Sequence, residues 1–326
     1  HGVVVVLALF AAAAQNELYV MLQKIGHRPF RKTGVFLGFL LITAPYFARE
    51  YIAEEEKEGI ESALIAIAIV ACCLRVMRER TGGNRMETLI ATIFGLVYLP
   101  YMLSFIVRIM WLADGVPGMM LVVWLLCAAK FCDVGALLVG SQIGKHKLAP
   151  TMSPGKTWEG AIGGVVVAAG VCAGLVALLP AYFPLGFTPL KAALAAILPA
   201  TVSITSDLIE SVLKRMAGCK DSGKTIPGIG GAFGLVGSLV LAAPGGFFDF
   251  AADVVMNEDF TTTAGQPHVS FVRRDESNPV WGAHASRVPF RASRPKHLNI
   301  LGATPRATRE TRVLPGPSEF RFLDAP

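Results

Sequence analysis

The sequence predicts an all-α polytopic membrane protein with about eight transmembrane helices and cytoplasmic polar loops that form the functional site. Three observations support this fold class. Of the 326 residues, 53% are hydrophobic and only 17% are charged. The mean hydropathy is +0.53, and the apolar residues are concentrated in long runs between polar segments. This composition excludes a disordered chain and a small disulfide scaffold, and it does not suit a water-soluble globule.

Eight apolar runs predict helices that cross a bilayer, because a span needs about 20 residues. The second run is the shortest of them. The predicted spans cover residues 2–22, 33–47, 61–77, 88–112, 118–140, 160–183, 191–206 and 232–250. Because the chain starts at His1 without Met, we expect the first run to be a span that has lost its beginning.

Lysine and arginine are distributed unevenly between the two sets of loops that eight spans define. Fifteen fall on one side, in segments 24–32, 75–85, 145–156 and 214–224, and four fall on the other side. Basic residues are enriched in cytoplasmic loops. We therefore expect the side with fifteen to be cytoplasmic, in a bacterial inner membrane. The net charge of +6 then reflects topology rather than a nucleic-acid partner.

An ionisable pair interrupts the fifth predicted span. Lys130 and Asp133 are three residues apart, which places them on one helix face. Ionisable side chains at membrane depth are costly unless they pair or line a polar cavity. Two interpretations remain: a structural ion pair near the membrane surface, or a carboxylate that lines a polar site.

The loop at 141–159 carries hydroxyl and lysine side chains ahead of a predicted helix start. Its beginning, from Gly140 to Lys145, resembles a phosphate-binding loop but has one residue too few between its glycines, so it is not one. Helix N-termini and lysines suit a polyphosphate. Glu159 has an alternative role as a cap of the helix. The candidate residues of this loop are Lys145, Ser153, Lys156, Thr157 and Glu159.

The second polar segment, 207–231, places carboxylate, hydroxyl and ammonium groups on one helical face. Asp207, Glu210, Ser211 and Lys214 recur every three or four residues. Carboxylate oxygens can hold Mg²⁺, and basic side chains can bind phosphate oxygens. The glycine-rich turn at 227–231 lets the backbone approach a ligand closely.

Residues 211–231 resemble the signature of the phosphatidate cytidylyltransferases, also called CDP-diacylglycerol synthases. That signature runs Ser-x-apolar-Lys-Arg, four residues, Lys-Asp-x-Gly, two residues, apolar-Pro-Gly-x-Gly-Gly. This chain supplies Ser211, Lys214, Arg215, Lys220, Asp221, Gly223, Ile226, Pro227, Gly228, Gly230 and Gly231. The upstream pattern is also similar, with Asp133, Gly144, Lys145, Ser153, Pro154, Lys156, Thr157, Glu159 and Gly160. The resemblance covers about residues 15–250.

The resemblance implies a nucleotidyltransferase of phospholipid biosynthesis, in which a phosphatidate oxygen attacks the α-phosphorus of CTP and pyrophosphate leaves. It implies catalytic roles for Lys214, Arg215, Lys220 and Asp221, with Asp221 as the ligand of a Mg²⁺ cofactor. The implied substrate-binding residues are Asp133, Lys145, Ser153, Lys156, Thr157, Glu159, Asp207, Glu210, Ser211, Ser222, Gly230 and Gly231. The expected partners are CTP, phosphatidate and membrane lipid, with no nucleic acid, and a homodimer is left open.

The chain departs from the family pattern after Gly231. The family continues with two residues, an aspartate, two residues and a second aspartate, where this chain has Gly234 and Gly237. The first of those aspartates is expected to share the metal with Asp221. The alternative to the enzyme is therefore a catalytically impaired membrane scaffold or a homologue that binds lipid or nucleotide.

Composition divides the chain into two regions, a transmembrane cytidylyltransferase-like domain at 1–250 and a tail at 251–326. The tail has eight prolines, nine arginines against one lysine, and no apolar run long enough to span a membrane. We expect it to be either a disordered extension or the product of a reading-frame error.

Overall fold

Helices account for nearly all of the chain that the computed structural model describes. The described residues are 1–49, 57–78, 84–113, 115–219, 221–223 and 231–256. The helices are α1 (Gly2–Ile25), α2 (Arg31–Ala48), α3 (Lys57–Arg78), α4 (Arg85–Leu96), α5 (Met102–Met110), α6 (Val116–Ile143), α7 (Trp158–Leu178), α8 (Pro189–Ala195), α9 (Ile197–Met216) and α10 (Ala232–Met256). The strands are β1 (Lys147–Ala149) and β2 (Ser153–Thr157).

Two site residues expected from the sequence, Lys220 and Gly230, lie outside the described residues. The same holds for the tail beyond Met256. The first six residues assigned to the tail continue α10, because this helix runs from Ala232 to Met256.

All eight predicted spans are helical, which confirms the predicted fold class. In the part of the chain that the structure describes, seven helical stretches are long and apolar enough to cross a membrane. They are Gly2–Ile25, Gly59–Arg78, Arg85–Met110, Val116–Ile143, Trp158–Leu178, Pro189–Met216 and Ala232–Ala251. The remaining predicted span, 33–47, forms α2, which is not one of the seven.

Helix α2 nevertheless runs antiparallel to α1 at the same depth. The ring of Tyr19 fills the space beside Gly34 near one end, and the ring of His1 lies 5.7 Å from that of Tyr46 near the other. At the first of these points, Gln15 also donates from Nε2 to the carbonyl of Gly34 at 3.1 Å. The 18 residues of α2 extend over ~27 Å, which is close to the thickness of a bilayer core.

The fourth predicted span is one interrupted helix. A π-helical turn, Val97–Tyr101, joins α4 to α5. Pro100 lies within this turn and has no N–H to donate, so the regular hydrogen-bond ladder is broken there.

Small residues let α6 and α7 approach closely. The buried face of α7 repeats every four residues and consists of Gly160, Gly164, Ala168, Cys172 and Val176. A Cβ atom at Gly164 would lie only 2.6 Å from the carbonyl oxygen of Cys132 on α6. Such small-residue interfaces allow helix backbones to touch in membranes, where no hydrophobic effect drives helices together.

Helices α6 and α10 run antiparallel through the core. The rings of Trp124 and Phe250 lie 4.9 Å apart, and at the other end of the pair Lys130 bonds to Ser238. The C-terminus of α6 and the N-terminus of α10 therefore lie at the same end of the bundle.

The basic segments meet at this same end. The N–H of Phe30 donates to Thr92 Oγ1 at 2.9 Å, and the guanidinium of Arg75 lies 4.9 Å from the Phe30 ring centroid. These contacts join the start of α2 to the middle of α4 and to the end of α3, and His27 Nδ1 lies 3.9 Å from Glu87 Oε2 in the first turn of α4. At the opposite end, Arg108 pairs with Glu61.

Candidate active site

A two-stranded hairpin forms most of the first polar loop. Strands β1 and β2 pair antiparallel, with Lys147 opposite Thr157 and Ala149 opposite Ser153. The residues at 150–152, which include a proline, make the turn. The sequence predicts only a polar loop here, since strands this short carry too little alternating pattern to be recognised.

The start of α7 is fixed by two of the predicted residues. Thr157 is the N-cap, and its Oγ1 accepts from the N–H of Gly160 at 3.1 Å. Glu159 lies in the first turn of α7. Its carboxylate accepts from the N–H groups of Lys145 and His146 at 3.2 Å and contacts His146 Nδ1 at 2.6 Å. Glu159 therefore ties the end of α6 to the start of α7.

Gly140 and Gly144, which precede this hairpin, do not form a phosphate-binding loop. Gly140 lies inside α6, and the N–H of Gly144 donates to its carbonyl at 3.1 Å, which ends the helix. Lys145 follows with an exposed side chain.

One ion pair brings the two predicted polar segments together. Lys156 Nζ, on β2, lies 3.4 Å from Asp207 Oδ2 on α9. Both side chains are largely buried, with 27% and 29% of their surfaces exposed. The hairpin is thereby held against the helix that carries the second set of candidate residues.

Helix α9 carries that second set on one face, as the spacing predicts. Lys214 pairs with Glu210 one turn away, and the Glu210 side chain is only 8% exposed. The hydroxyl of Ser211 donates to the carbonyl of Asp207 at 2.9 Å, so it is bonded within the helix. Arg215 is exposed at the helix end.

The predicted pair in the fifth span is connected to α10. Lys130 Nζ donates to the Leu235 carbonyl and to Ser238 Oγ, both at 2.8 Å, and lies 3.8 Å from Asp133. Asp133 is also within electrostatic range of Asp207 and Lys156. We refer to the resulting group as the charged cluster, which comprises Lys130, Asp133, Lys156, Asp207, Glu210 and Lys214.

The two glycines that depart from the family pattern border this cluster. A Cβ at Gly234 would lie 3.5 Å from Glu210 Oε1 and from Lys214 Nζ, whereas a Cβ at Gly237 would overlap the Glu210 carboxylate. Ser206 donates to the carbonyl of Gly237, which fixes α9 against α10 at this point.

The described parts of the signature loop are held by a residue that the sequence analysis did not select. Glu17, on α1, is 4% exposed. One of its oxygens accepts from Ser222 Oγ and the Phe233 N–H, both at 3.0 Å, and the other accepts from the Ala232 N–H at 3.1 Å. A carboxylate within an apolar run is the sequence signal that could have identified it.

The predicted residues of this loop differ in their exposure. Asp221 is exposed to solvent, whereas Ser222 is buried and its hydroxyl is engaged by Glu17. Gly231 packs so closely that a Cβ there would overlap both Ser222 Oγ and Glu17 Oε2. Among the described residues of this loop, Asp221 is thus the side chain that can reach a ligand in solution.

Residues 2–250 match the model of the cytidylyltransferase family. The chain is 42% identical over 151 residues to a phosphatidate cytidylyltransferase of Pseudomonas aeruginosa, with 46% of this chain and 52% of that protein aligned. It is 35% identical over 207 residues to the phosphatidate cytidylyltransferase of Mycobacterium leprae, with 62% and 59% aligned.

A third relative, the phosphatidate cytidylyltransferase of Mycobacterium bovis, is 35% identical over 164 residues, or 48% of this chain and 50% of that protein. The chain thus spans about half the length of the curated relatives it matches.

Proposed function

The chain belongs to the cytidylyltransferase family, and on that premise we propose that it transfers CMP from CTP to phosphatidate, giving CDP-diacylglycerol and pyrophosphate. The observation that carries this proposal is the Lys156–Asp207 ion pair. It joins the hairpin to the helix that leads into the signature loop, so that Lys156 of the hairpin and Lys214 of α9 both belong to the charged cluster.

The proposed reaction exchanges one phosphorus–oxygen bond for another. An oxygen of the phosphatidate phosphate bonds to the α-phosphorus of CTP, while the bond from that phosphorus to the pyrophosphate oxygen breaks. Phosphoryl-type transfer depends on in-line positioning and neutralisation of charge more than on covalent catalysis. Ammonium and guanidinium groups provide this neutralisation.

The basic residues fall into two groups by their surroundings. Lys145 and Arg215 are exposed, so they can meet the CTP phosphates as these arrive from solution. Lys156 and Lys214 are held in place by Asp207 and Glu210. We assign these two lysines to the phosphates nearest the reacting centre, because a lysine held by a carboxylate loses less freedom when it binds.

The remaining basic group of the cluster has a different role. Lys130 bonds to a carbonyl and a hydroxyl of α10. These bonds direct its ammonium toward the helix backbone, so we assign it to holding α6 and α10 together.

The residues of the loop fit a Mg²⁺ ion that arrives with the nucleotide. In the described part of the chain, no group of three or more His, Cys, Asp or Glu side chains could hold a metal. Mg²⁺ in nucleotide enzymes is often bound by one or two carboxylates together with substrate phosphates. Asp221 offers one such exposed carboxylate. The bound ion would neutralise charge on the pyrophosphate.

We further propose that this end of the bundle faces the cytoplasm of a bacterial inner membrane. The starts of α2 and α4 and the end of α3 meet there, together with the basic loops that follow α6 and α9. The positive-inside rule then places the site on the side where CTP is available. Membrane lipid is the expected surrounding, and a homodimer stays a prediction.

The alternative function is a non-catalytic homologue that binds lipid or nucleotide on the same scaffold. The observation that favours it is the pair of glycines, Gly234 and Gly237, where the family carries aspartates. A transfer assay separates the two proposals. Purified full-length chain is incubated with phosphatidate, Mg²⁺ and CTP labelled at the α-phosphorus.

We expect label in the lipid fraction for the wild type and for Lys24→Ala, which removes an exposed lysine at the same end of the bundle. We expect none above background for Lys214→Ala. Binding of CTP without transfer, by folded wild-type protein, would support the alternative instead.

A further inference from the structure

Glu17 is bonded to both stretches of chain that flank residues 224–230. Ser222 lies before this segment and Phe233 lies after it, and both donate to the same carboxylate oxygen at 3.0 Å. The second oxygen accepts from the N–H of Ala232. One buried carboxylate on α1 therefore binds the residues on both sides of the segment 224–230.

The charge of Glu17 suits this position. The N–H groups of Ala232 and Phe233 belong to the first turn of α10 and have no partner within the helix. A carboxylate there satisfies these donors and interacts favourably with the helix dipole. The cap comes from another helix, 215 and 216 residues away in sequence.

Two glycines of the signature also pack directly against Glu17. A Cβ atom at Gly223 or at Gly231 would overlap the Glu17 carboxylate. The close approach of backbone to carboxylate on both sides leaves room only for hydrogen at these positions. Gly223 and Gly231, on either side of residues 224–230, thus lie against the same buried carboxylate.

From these contacts we propose that Glu17 is a positioning residue that sets the location of Asp221 relative to the α9 face. Asp221 directly precedes Ser222, which Glu17 holds. Gly234 directly follows Phe233, which Glu17 also holds, and its Cβ position lies 3.5 Å from Glu210 and Lys214. Glu17 therefore joins the exposed carboxylate of the loop to the charged cluster without touching substrate. The inference rests on the proposed function.

Three variants of the full-length protein test this role. Glu17→Gln retains the size of the side chain but replaces one acceptor oxygen by an NH₂ group that faces N–H donors. Glu17→Asp keeps both oxygens on a shorter side chain. Gln15→Leu is the matched control, because Gln15 is buried on the same helix but bonds to Tyr19 and Gly34.

The measurements are the KM for CTP, the Mg²⁺ concentration at half-maximal transfer, kcat and the unfolding temperature. For Glu17→Gln we expect higher KM and Mg²⁺ requirement and a kcat/KM lower by about 10²-fold, the effect of a small misplacement of reacting groups. Glu17→Asp should lower kcat/KM by less than Glu17→Gln does. Gln15→Leu should lower the unfolding temperature and leave KM and the Mg²⁺ requirement unchanged.

Hydrogen exchange provides a readout that does not depend on activity. Amides 232 and 233 should exchange faster in Glu17→Gln than in the wild type or in Gln15→Leu. If Glu17→Gln does not fold, Ser222→Ala provides the test, since it removes one donor to Glu17 outside the membrane. It should raise the Mg²⁺ requirement, and an unchanged requirement would overturn the inference.

The possible failures are distinguishable. An active wild type whose Glu17→Gln variant loses only thermal stability, with unchanged KM and Mg²⁺ requirement, would overturn the role of Glu17 alone. A folded wild type without transfer activity would overturn the proposed function, and the positioning role with it.

Discussion

Glu210 lies directly against Gly237, in space that any side chain at position 237 would have to share. A Cβ at Gly237 would overlap the Glu210 carboxylate, whereas a Cβ at Gly234 would stay 3.5 Å from it. The two glycines that stand where the family has aspartates are therefore not equivalent. Position 234 has room for a Cβ atom in this structure, and position 237 does not without a movement of Glu210.

Gly234→Asp should raise cytidylyl transfer. The new carboxylate would lie near Lys214 and in the first turn of α10, where an anion is favoured. It would offer Mg²⁺ a second ligand, and gain or loss of one electrostatic stabiliser changes rates by about 10²–10³. Transfer is measured across a Mg²⁺ titration, with Gly234→Asn as the uncharged control. Equal rates for Asp and Asn would show that the charge is not used.

Gly237→Ala should destabilise the protein. The added methyl group would displace the Glu210 side chain from its buried position, and overpacking of this kind costs about 1–3 kcal/mol. Gly170→Ala is the matched control on α7, because nothing lies within 4 Å of its Cβ position. Thermal unfolding in detergent compares the two, and an unchanged unfolding temperature for Gly237→Ala would contradict the packing described above.

Lys214→Ala should lower stability as well as activity, because it leaves the buried Glu210 carboxylate without its ammonium partner. Removal of one partner of a buried pair costs up to about 3 kcal/mol. The double variant Glu210→Gln with Lys214→Ala should regain stability but not transfer. If the double variant is no more stable than Lys214→Ala alone, then the unpaired Glu210 carboxylate is not the cause of the lost stability.

Asp221→Asn should abolish transfer and leave the unfolding temperature unchanged. The side chain is exposed, so it stabilises little packing, whereas the loss of its charge removes the proposed Mg²⁺ ligand. The transfer rate and the unfolding temperature are measured on the same preparation. A wild-type transfer rate for Asp221→Asn would show that Asp221 is not part of the catalytic site.

A cysteine placed at Lys145 should react with a membrane-impermeant reagent only from the cytoplasmic side. Lys145 is exposed in the loop that precedes α7. Leu185 is exposed in the loop that follows α7, at the opposite end of this helix. In a background without native cysteines, Leu185→Cys should react only from the opposite side. Labelling of Lys145→Cys from outside the cell would reverse the proposed orientation.

Much of the fold could be predicted because hydropathy is a local property of the chain. Seven of the eight apolar runs form helices whose bounds lie within about six residues of those expected, whereas the run at 191–206 is divided between α8 and α9, and α9 continues to Met216. The spacing of Asp207, Glu210 and Lys214 predicts their common face on α9. Helix α2 is the marginal case. It is not among the seven described stretches that are long and apolar enough to cross a membrane, although it packs antiparallel along α1.

The site was harder to predict where it depends on contacts between distant segments. Glu17 meets Ser222 across 205 residues, and no spacing within α1 indicates that partner. The sequence predicts that Glu159 binds substrate or caps α7, but it does not indicate that its carboxylate also accepts from the N–H groups of Lys145 and His146 after α6. In both cases the residue type is informative, but its partner is set by how the helices pack.

The most direct test of the proposed function follows the two ends of the CTP triphosphate in one reaction. Purified wild-type protein is given phosphatidate, Mg²⁺ and CTP labelled either at the α- or at the γ-phosphorus. Transfer of CMP predicts α-label in the lipid and γ-label in soluble pyrophosphate, in equal amounts and dependent on phosphatidate. Label from the γ-phosphorus in the lipid, or no lipid label from folded protein, would contradict the assignment.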